Sequence, residues 1–140
     1  MTQENELRAY SQWVEVEVFA VNMDVTIKEA NLKWGKFYEA GNKNAEIEPS
    51  KINGYIIDSG KSYKISSCGR SNASSGTQGS FALYHGDTYI GTYSWDCPWS
   101  GKNSDSLNCT SNTEYSLSKT DGNYSDGALG NIKLTCIKVR

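Results

Sequence analysis

Histidine and proline are nearly absent from this 140-residue sequence, at one and two copies, and the scarcity of histidine removes most hydrolytic chemistry at once. A Cys or Ser nucleophile needs a base beside it, and the one imidazole, His85, lies in His85-Gly86-Asp87, which reads as a solvated hairpin turn. A phosphate-cradling GxxxxGK[ST] is missing, as is a GxGxxG after a strand. Asp121 to Gly127, DGNYSDG, offers oxygens at Asp121, Asn123 and Ser125, yet Asp126 stands where a calcium loop needs glycine and Ile132 where it needs a bidentate Glu. It reads as a turn. Carboxylates are numerous, but nothing pairs two of them across a cleft as a glycosidase requires. The expectation is a protein that is not an enzyme and has no metal or cofactor.

An excess of either charge is also missing. With 14 basic and 16 acidic residues and a pI near 5.4, the chain has no footprint for a nucleic acid. Nor does it have a polybasic patch for anionic lipid, where each Lys or Arg adds about 1 kcal/mol. No apolar run approaches the roughly 20 residues of a membrane-spanning helix, and MTQENELRAY lacks the basic and apolar regions of a signal peptide. The expected state is soluble, either cytoplasmic in the producer or released by a route the sequence does not display. Cys68, Cys97, Cys109 and Cys136 show no CxxC spacing, so zinc-ribbon and thioredoxin-like readings fall away. They read as free buried thiols, with a disulfide between Cys109 and Cys136 as the alternative. Sequons at Asn72, Asn108 and Asn123 matter only in a eukaryotic secretory pathway.

What is present is β-structure. WVEVEVFAV, Trp13 to Val21, sets Val14, Val16, Val18 and Ala20 on one face against Trp13, Glu15, Glu17 and Phe19, the period of a half-buried strand. Shorter runs predict strands at Asp24 to Lys28, Leu32 to Tyr38, Gly54 to Ile57, Ser62 to Ser66, Ser80 to Tyr84, Tyr89 to Ser94 and Glu114 to Ser118. A last strand, Asn131 to Val139, alternates Ile132, Leu134 and Cys136 with Lys133, Thr135 and Ile137. Turn pairs separate the runs: Gly41-Asn42, Asn53-Gly54, Ser59-Gly60, Gly86-Asp87, Gly101-Lys102, Asp121-Gly122 and Asp126-Gly127. The predicted fold is all-β, a single-domain β-sandwich over residues 10–140 preceded by a flexible segment at 1–9.

Two loops carry the functional signal. CGRSNASSGTQG, Cys68 to Gly79, is built of small residues around a single charge, Arg70, so its backbone amides can face a partner; a mobile connector is the other reading. YSWDCPW, Tyr93 to Trp99, places Trp95 and Trp99 at the end of a strand. Trp95 continues the alternation and leans to the core, whereas Trp99 follows Pro98 and predicts a loop tip, where an indole suits the boundary between water and acyl chains. Each buried indole contributes roughly 1.5 to 3 kcal/mol, so two or three give about 3 to 9 before the cost of immobilisation. Insertion alone is weak, and durable docking needs headgroup recognition or several copies acting together.

YSQW at Tyr10 to Trp13, WGK at Trp34 to Lys36, CGRSNASSGTQG, WDCPW at Trp95 to Trp99 and GALG at Gly127 to Gly130 together resemble the aegerolysins, in order and spacing, over nearly the whole chain. The resemblance implies an actinoporin-like β-sandwich without catalytic activity that binds membrane sphingolipids: ceramide phosphoethanolamine, or sphingomyelin with cholesterol. It also implies a targeting role in a two-component pore-forming toxin, haemolytic or insecticidal, whose partner is perforin-like. Carried over by motif, the lipid-facing residues are Trp34, Arg70, Ser71, Trp95 and Trp99, with Tyr93 beside them. Ser75 stands where relatives that bind sphingomyelin with cholesterol can carry an acidic residue, a departure that bears on cholesterol dependence. An exposed Trp beside Asp and Asn also suits sugar stacking, so a carbohydrate-binding module is the rival expectation.

Overall fold

The predicted alternation of the first strand is realised in β1 (Trp13–Val21), where every second residue from Val14 to Ala20 is buried. In the computed structural model, which describes residues 8–140, ten more strands follow. They are β2 (Val25–Trp34), β3 (Lys36–Glu39), β4 (Asn42–Ile47), β5 (Ile56–Ile57), β6 (Ser62–Cys68), β7 (Thr77–His85), β8 (Thr88–Cys97), β9 (Ser104–Cys109), β10 (Tyr115–Asp121) and β11 (Gly130–Lys138). They form two sheets, in the orders β10-β11-β1-β6-β3-β4 and β5-β2-β7-β8-β9. The sheets face each other as one β-sandwich around a core that includes Val16, Ile27, Phe81, Tyr93 and Leu134. β1 lies at the centre of its sheet, antiparallel to β6 and parallel to β11, so the first and last strands pair. Ile132, Leu134 and Cys136 of β11 point inward, as their alternation predicts.

Part of the chain departs from the sequence reading. Leu32 to Tyr38 is not one strand: β2 ends at Trp34 in one sheet and β3 begins at Lys36 in the other. Gly35 makes the crossing at φ 95°, and a Cβ there would stand 2.5 Å from the carbonyl oxygen of Cys68. Conversely, Val25 to Lys28 and Leu32 are parts of one strand, interrupted by a bulge where Glu29 takes φ 57°. The Ala30 amide at this bulge is satisfied by the side chain of Asn53, at 2.7 Å. β4 and β9 were not foreseen, because NKNAEI and SDSLNC are too polar to read as strands. A helical turn at Pro49–Ile52, which buries Ile52, was also missed.

The glycines of all the named turn pairs adopt positive φ, and Gly86-Asp87 joins β7 to β8 as the predicted hairpin. Of the segment expected to be flexible at 1–9, residues 1–7 lie outside the described residues. Residues 8–11 are helical, and Ala9 is buried. Cys109 is exposed rather than buried, a correction to the reading of the thiols; the other three are buried, and all four are free. Cys109 and Cys136 lie in different sheets, on β9 and β11.

Candidate functional site

Three segments converge at one end of the sandwich. Gly69 follows β6 and packs so closely on the helical turn at 8–11 that a Cβ would lie 2.8 Å from the Ala9 carbonyl oxygen. Gly76, at φ 69°, packs on Cys97-Pro98-Trp99, where a Cβ would stand 2.2 Å from the Cys97 carbonyl oxygen. Gly35 closes the third side against Cys68 and Thr77. The small-residue loop at 69–76 is therefore wedged between neighbours, and this close approach accounts for its composition. Trp34 ends β2, Arg70, Ser71 and Ser75 lie in the loop after β6, and Trp99 lies in the loop after β8, all at this end.

Beneath these loops a buried relay ties both sheets together. Trp95 Nε1 donates to Thr77 Oγ1 at 3.1 Å, the Thr77 and Ser67 hydroxyls are 2.6 Å apart, and Ser67 Oγ donates to the Lys36 carbonyl at 2.9 Å. It runs from β8 through β7 and β6 to β3, leaving none of these groups unpaired in a dry setting where an orphan costs about 1–3 kcal/mol. Trp95, 2% exposed, packs on Phe37 across the sandwich and on Phe81 and Tyr93 within its own sheet. Tyr93 is fully buried, with its hydroxyl donating to Asp105 at 2.8 Å. Burial, reinforced by the Asp105 carboxylate, pushes the Tyr93 phenol well above its ordinary range. The placement of Tyr93 and Trp95 among lipid-facing residues is thereby corrected: both hold the end of the sandwich rigid from inside.

Trp34 is the exposed indole, with 48% of its surface open. Trp99, expected at a bare loop tip, is only half-buried and is covered by Arg8, whose guanidinium lies 4.6 Å from the ring centroid and donates to the Trp99 carbonyl at 3.3 Å. The tip proper is Ser100 and Gly101.

Arg70 lines a 280 Å³ cleft with Lys36, Glu46, Ser71 and Asn72. Its guanidinium forks onto Glu46 at 3.0 and 2.6 Å. The Arg70 hydrogen bond holds the Glu46 carboxyl below the usual carboxylate range, so the pair is intact at neutral pH and is lost only as pH falls through that lowered value. Lys36 Nζ, reaching the Tyr10 hydroxyl at 2.8 Å, keeps the cleft net positive. Such a cleft fits an anionic oxygen cluster carried with a nearby cation. Glu46, Lys36 and Arg8 were missed as site residues. Lys36 lies within the WGK motif already noted, but nothing local marks Glu46, which comes from an edge strand, or Arg8.

The DGNYSDG segment is a turn. Asn123 Oδ1 accepts from the Ser125 amide and hydroxyl, and its Nδ2 donates to the Asp126 and Ala128 carbonyls. Asn103 is buried and donates to the carbonyls of Asn123 and Gly127. Gln12 also fastens this turn, its amide lying 2.9 Å from the Gly127 carbonyl and 3.1 Å from that of Pro98.

The fold and site define an all-β sandwich that exposes an indole and an arginine cleft at one end. The Aegerolysin family model matches residues 11–139, and the chain is a member of the aegerolysin family. It is 40% identical over 128 residues to Asp-hemolysin of Aspergillus fumigatus, covering 90% of this chain and 92% of that protein. With Ostreolysin A6 of Pleurotus ostreatus it shares 37% identity over 134 residues, covering 93% and 97%. The crystal structure of IP-1A from Alcaligenes faecalis superposes with a TM-score of 0.93 at 49% identity, over 99% of each chain. No described helix is long and apolar enough to cross a membrane.

Proposed function

We propose that this chain docks on sphingolipid-containing membranes and serves as the targeting component of a two-component pore-forming toxin, haemolytic or insecticidal, with a perforin-like partner. The observation that carries the reading is the clustering of exposed Trp34, half-buried Trp99 and the Arg70 cleft at one end of a rigid sandwich. Family membership and the haemolysin and ostreolysin names of its relatives support it. In this reading Trp34 and Trp99 enter the interface, Arg70 and Ser71 meet the headgroup phosphate, and Ser75 faces lipid without an acidic side chain. Glu46 supplies a carboxylate that can accept hydrogen bonds from a primary ammonium, which favours ceramide phosphoethanolamine over sphingomyelin. A quaternary ammonium has no N–H to give.

Sedimentation with liposomes that differ only in ceramide phosphoethanolamine, sphingomyelin or cholesterol tests the reading. Binding is expected to require a sphingolipid and to drop about tenfold or more in Trp34→Ala and Arg70→Ala, with Tyr89→Ala, at the opposite end of β8, unaffected. Dye release is expected only after the partner is added. Efficient release by this chain alone from every liposome type would overturn the two-component role. Binding that ignores sphingolipid would overturn the headgroup assignment.

A further inference from the structure

The outer faces of the two sheets are built differently. On the six-stranded sheet, outward side chains satisfy each other: Ser62 Oγ donates to Glu17 at 2.7 Å, Ser66 Oγ to Glu15 at 3.3 Å, and Lys64 lies 3.7 Å from Glu15. On the five-stranded sheet, the register lays two adjacent rows across the strands, Trp34-Gln78-Asp96-Ser104 and Asn31-Ser80-Ser94-Ser106. Both rows point outward, because their alternates Phe81, Tyr93 and Trp95 are in the core. Exposed sheet faces and edges commonly present long charged side chains, Lys above all. Apart from Trp34 these rows are short and polar, with Asp96 their one charge, and Lys33 Nζ stands 6.0 Å from the Trp34 ring centroid.

Gln78, Ser94, Asp96, Ser104 and Ser106 line a cleft of 350 Å³. Among the described residues, no protein group hydrogen-bonds to any of these five side chains. Asn31 Nδ2 donates to Ser80 Oγ at 3.3 Å beside them, whereas the donors and acceptors of these five side chains are free to meet a ligand.

We propose that this cleft is a second binding site, distinct from the Arg70 cleft, and that it takes an uncharged oligosaccharide. The Asp96 carboxylate can accept from two adjacent sugar hydroxyls, the Gln78 amide both donates and accepts, and each serine hydroxyl rotates to do either. Strands lie about 5 Å apart, so Gln78, Asp96 and Ser104 are spread over about 10 Å, the reach of a short oligosaccharide. Trp34 ends the row with an indole against which the C–H face of a sugar ring packs. Phosphate, sulfate or sialic acid would be repelled at Asp96, the one charge of the two rows, with Lys33 at the far Trp34 end, so the site favours neutral glycans over acidic ones. A chain seated end-on at a membrane would turn this face toward sugars standing beside it, as glycolipid headgroups or as free chains.

The test is a panel of immobilised neutral and acidic oligosaccharides, followed by vesicles with and without a neutral glycosphingolipid. Saturable binding to neutral members alone is expected, falling about tenfold or more in Asp96→Ala and in Ser106→Tyr, which fills the cleft from an exposed edge strand. Both variants are expected to keep the wild-type thermal midpoint and the wild-type sedimentation with sphingolipid liposomes, which separates this site from the lipid reading. Competition by the free oligosaccharide makes the sugar alone the ligand; binding seen only on glycosphingolipid vesicles, and still lost in both variants, assigns the headgroup source. No binding of any neutral glycan in either format overturns the proposal. So does binding that survives both substitutions, or that disappears only in Arg70→Ala.

Discussion

At the scale of single residues, burial sorts look-alikes into different roles. Trp95 and Trp34 are both tryptophans within the quoted motifs, but one is 2% and the other 48% exposed. Trp95→Ala leaves a cavity and removes one of the two hydrogen bonds to the Thr77 hydroxyl, and is expected to cost about 3–5 kcal/mol in urea unfolding. Trp34→Ala is expected to stay within about 0.5 kcal/mol of wild type while losing lipid binding. Equal stability losses would contradict this division of roles. The cysteines divide in the same way. Burial pushes the Cys68 and Cys97 thiols up to about 11 and that of Cys136 up to about 12, so they remain protonated and unreactive at neutral pH. A thiol reagent applied to the native protein is expected to label Cys109 alone, read by peptide mass mapping, with the others following on unfolding. Rapid native labelling of Cys97 would argue against the packing of the loop beside it.

At the scale of elements, alternation located most strands and glycine located the turns, because both signals are local. The elements that escaped are those whose structure depends on neighbours. β9 carries Asp105 and Leu107 on its inner side, and it holds as a strand by pairing with β8 and through the 3.2 Å contact between Asp105 and Lys119 of β10. β2 and β3 look continuous until the close approach of Cys68 forces a crossing at Gly35. Two glycines can be set against each other. Gly101→Ala meets open space and suffers only the left-handed backbone, about 1–2 kcal/mol. Gly76→Ala adds a collision with the Cys97 carbonyl, so its melting temperature is expected to fall further, and the Trp99 loop with it. A smaller loss at Gly76 than at Gly101 would mean the loop at 69–76 yields easily.

For the whole molecule, the pairing of β1 with β11 makes the fold an all-or-none object. β11 sits between β1 and β10 and supplies Ile132, Leu134 and Cys136 to the core, so a chain ending at residue 129 would lose an interior strand. Such a truncation is expected to show no cooperative thermal transition by circular dichroism, whereas the full chain unfolds in a single step. A cooperative transition in the truncated chain would show that the sandwich can close without its last strand. The candidate site is a property of this scale too. Arg70 stands out in the sequence as the single charge of its loop, but its partner Glu46 arrives from an edge strand 24 residues earlier. Arg8 reaches Trp99 across 91 positions.

The amino-acid sequence by itself determined the all-β class, the positions of its turns, which residues share a strand face, and a lipid-binding family through motifs spread along the chain. Those features depend on the backbone's period of two and on glycine's freedom at positive φ, which act over a few residues. Tertiary structure alone decided that Tyr93 and Trp95 are inside, that Trp99 is covered by Arg8, that Arg70 is clasped by Glu46, and that an unpaired polar cleft opens across β7, β8 and β9. Each of these depends on which strand becomes whose neighbour, and cross-strand register is set by pairing between distant segments.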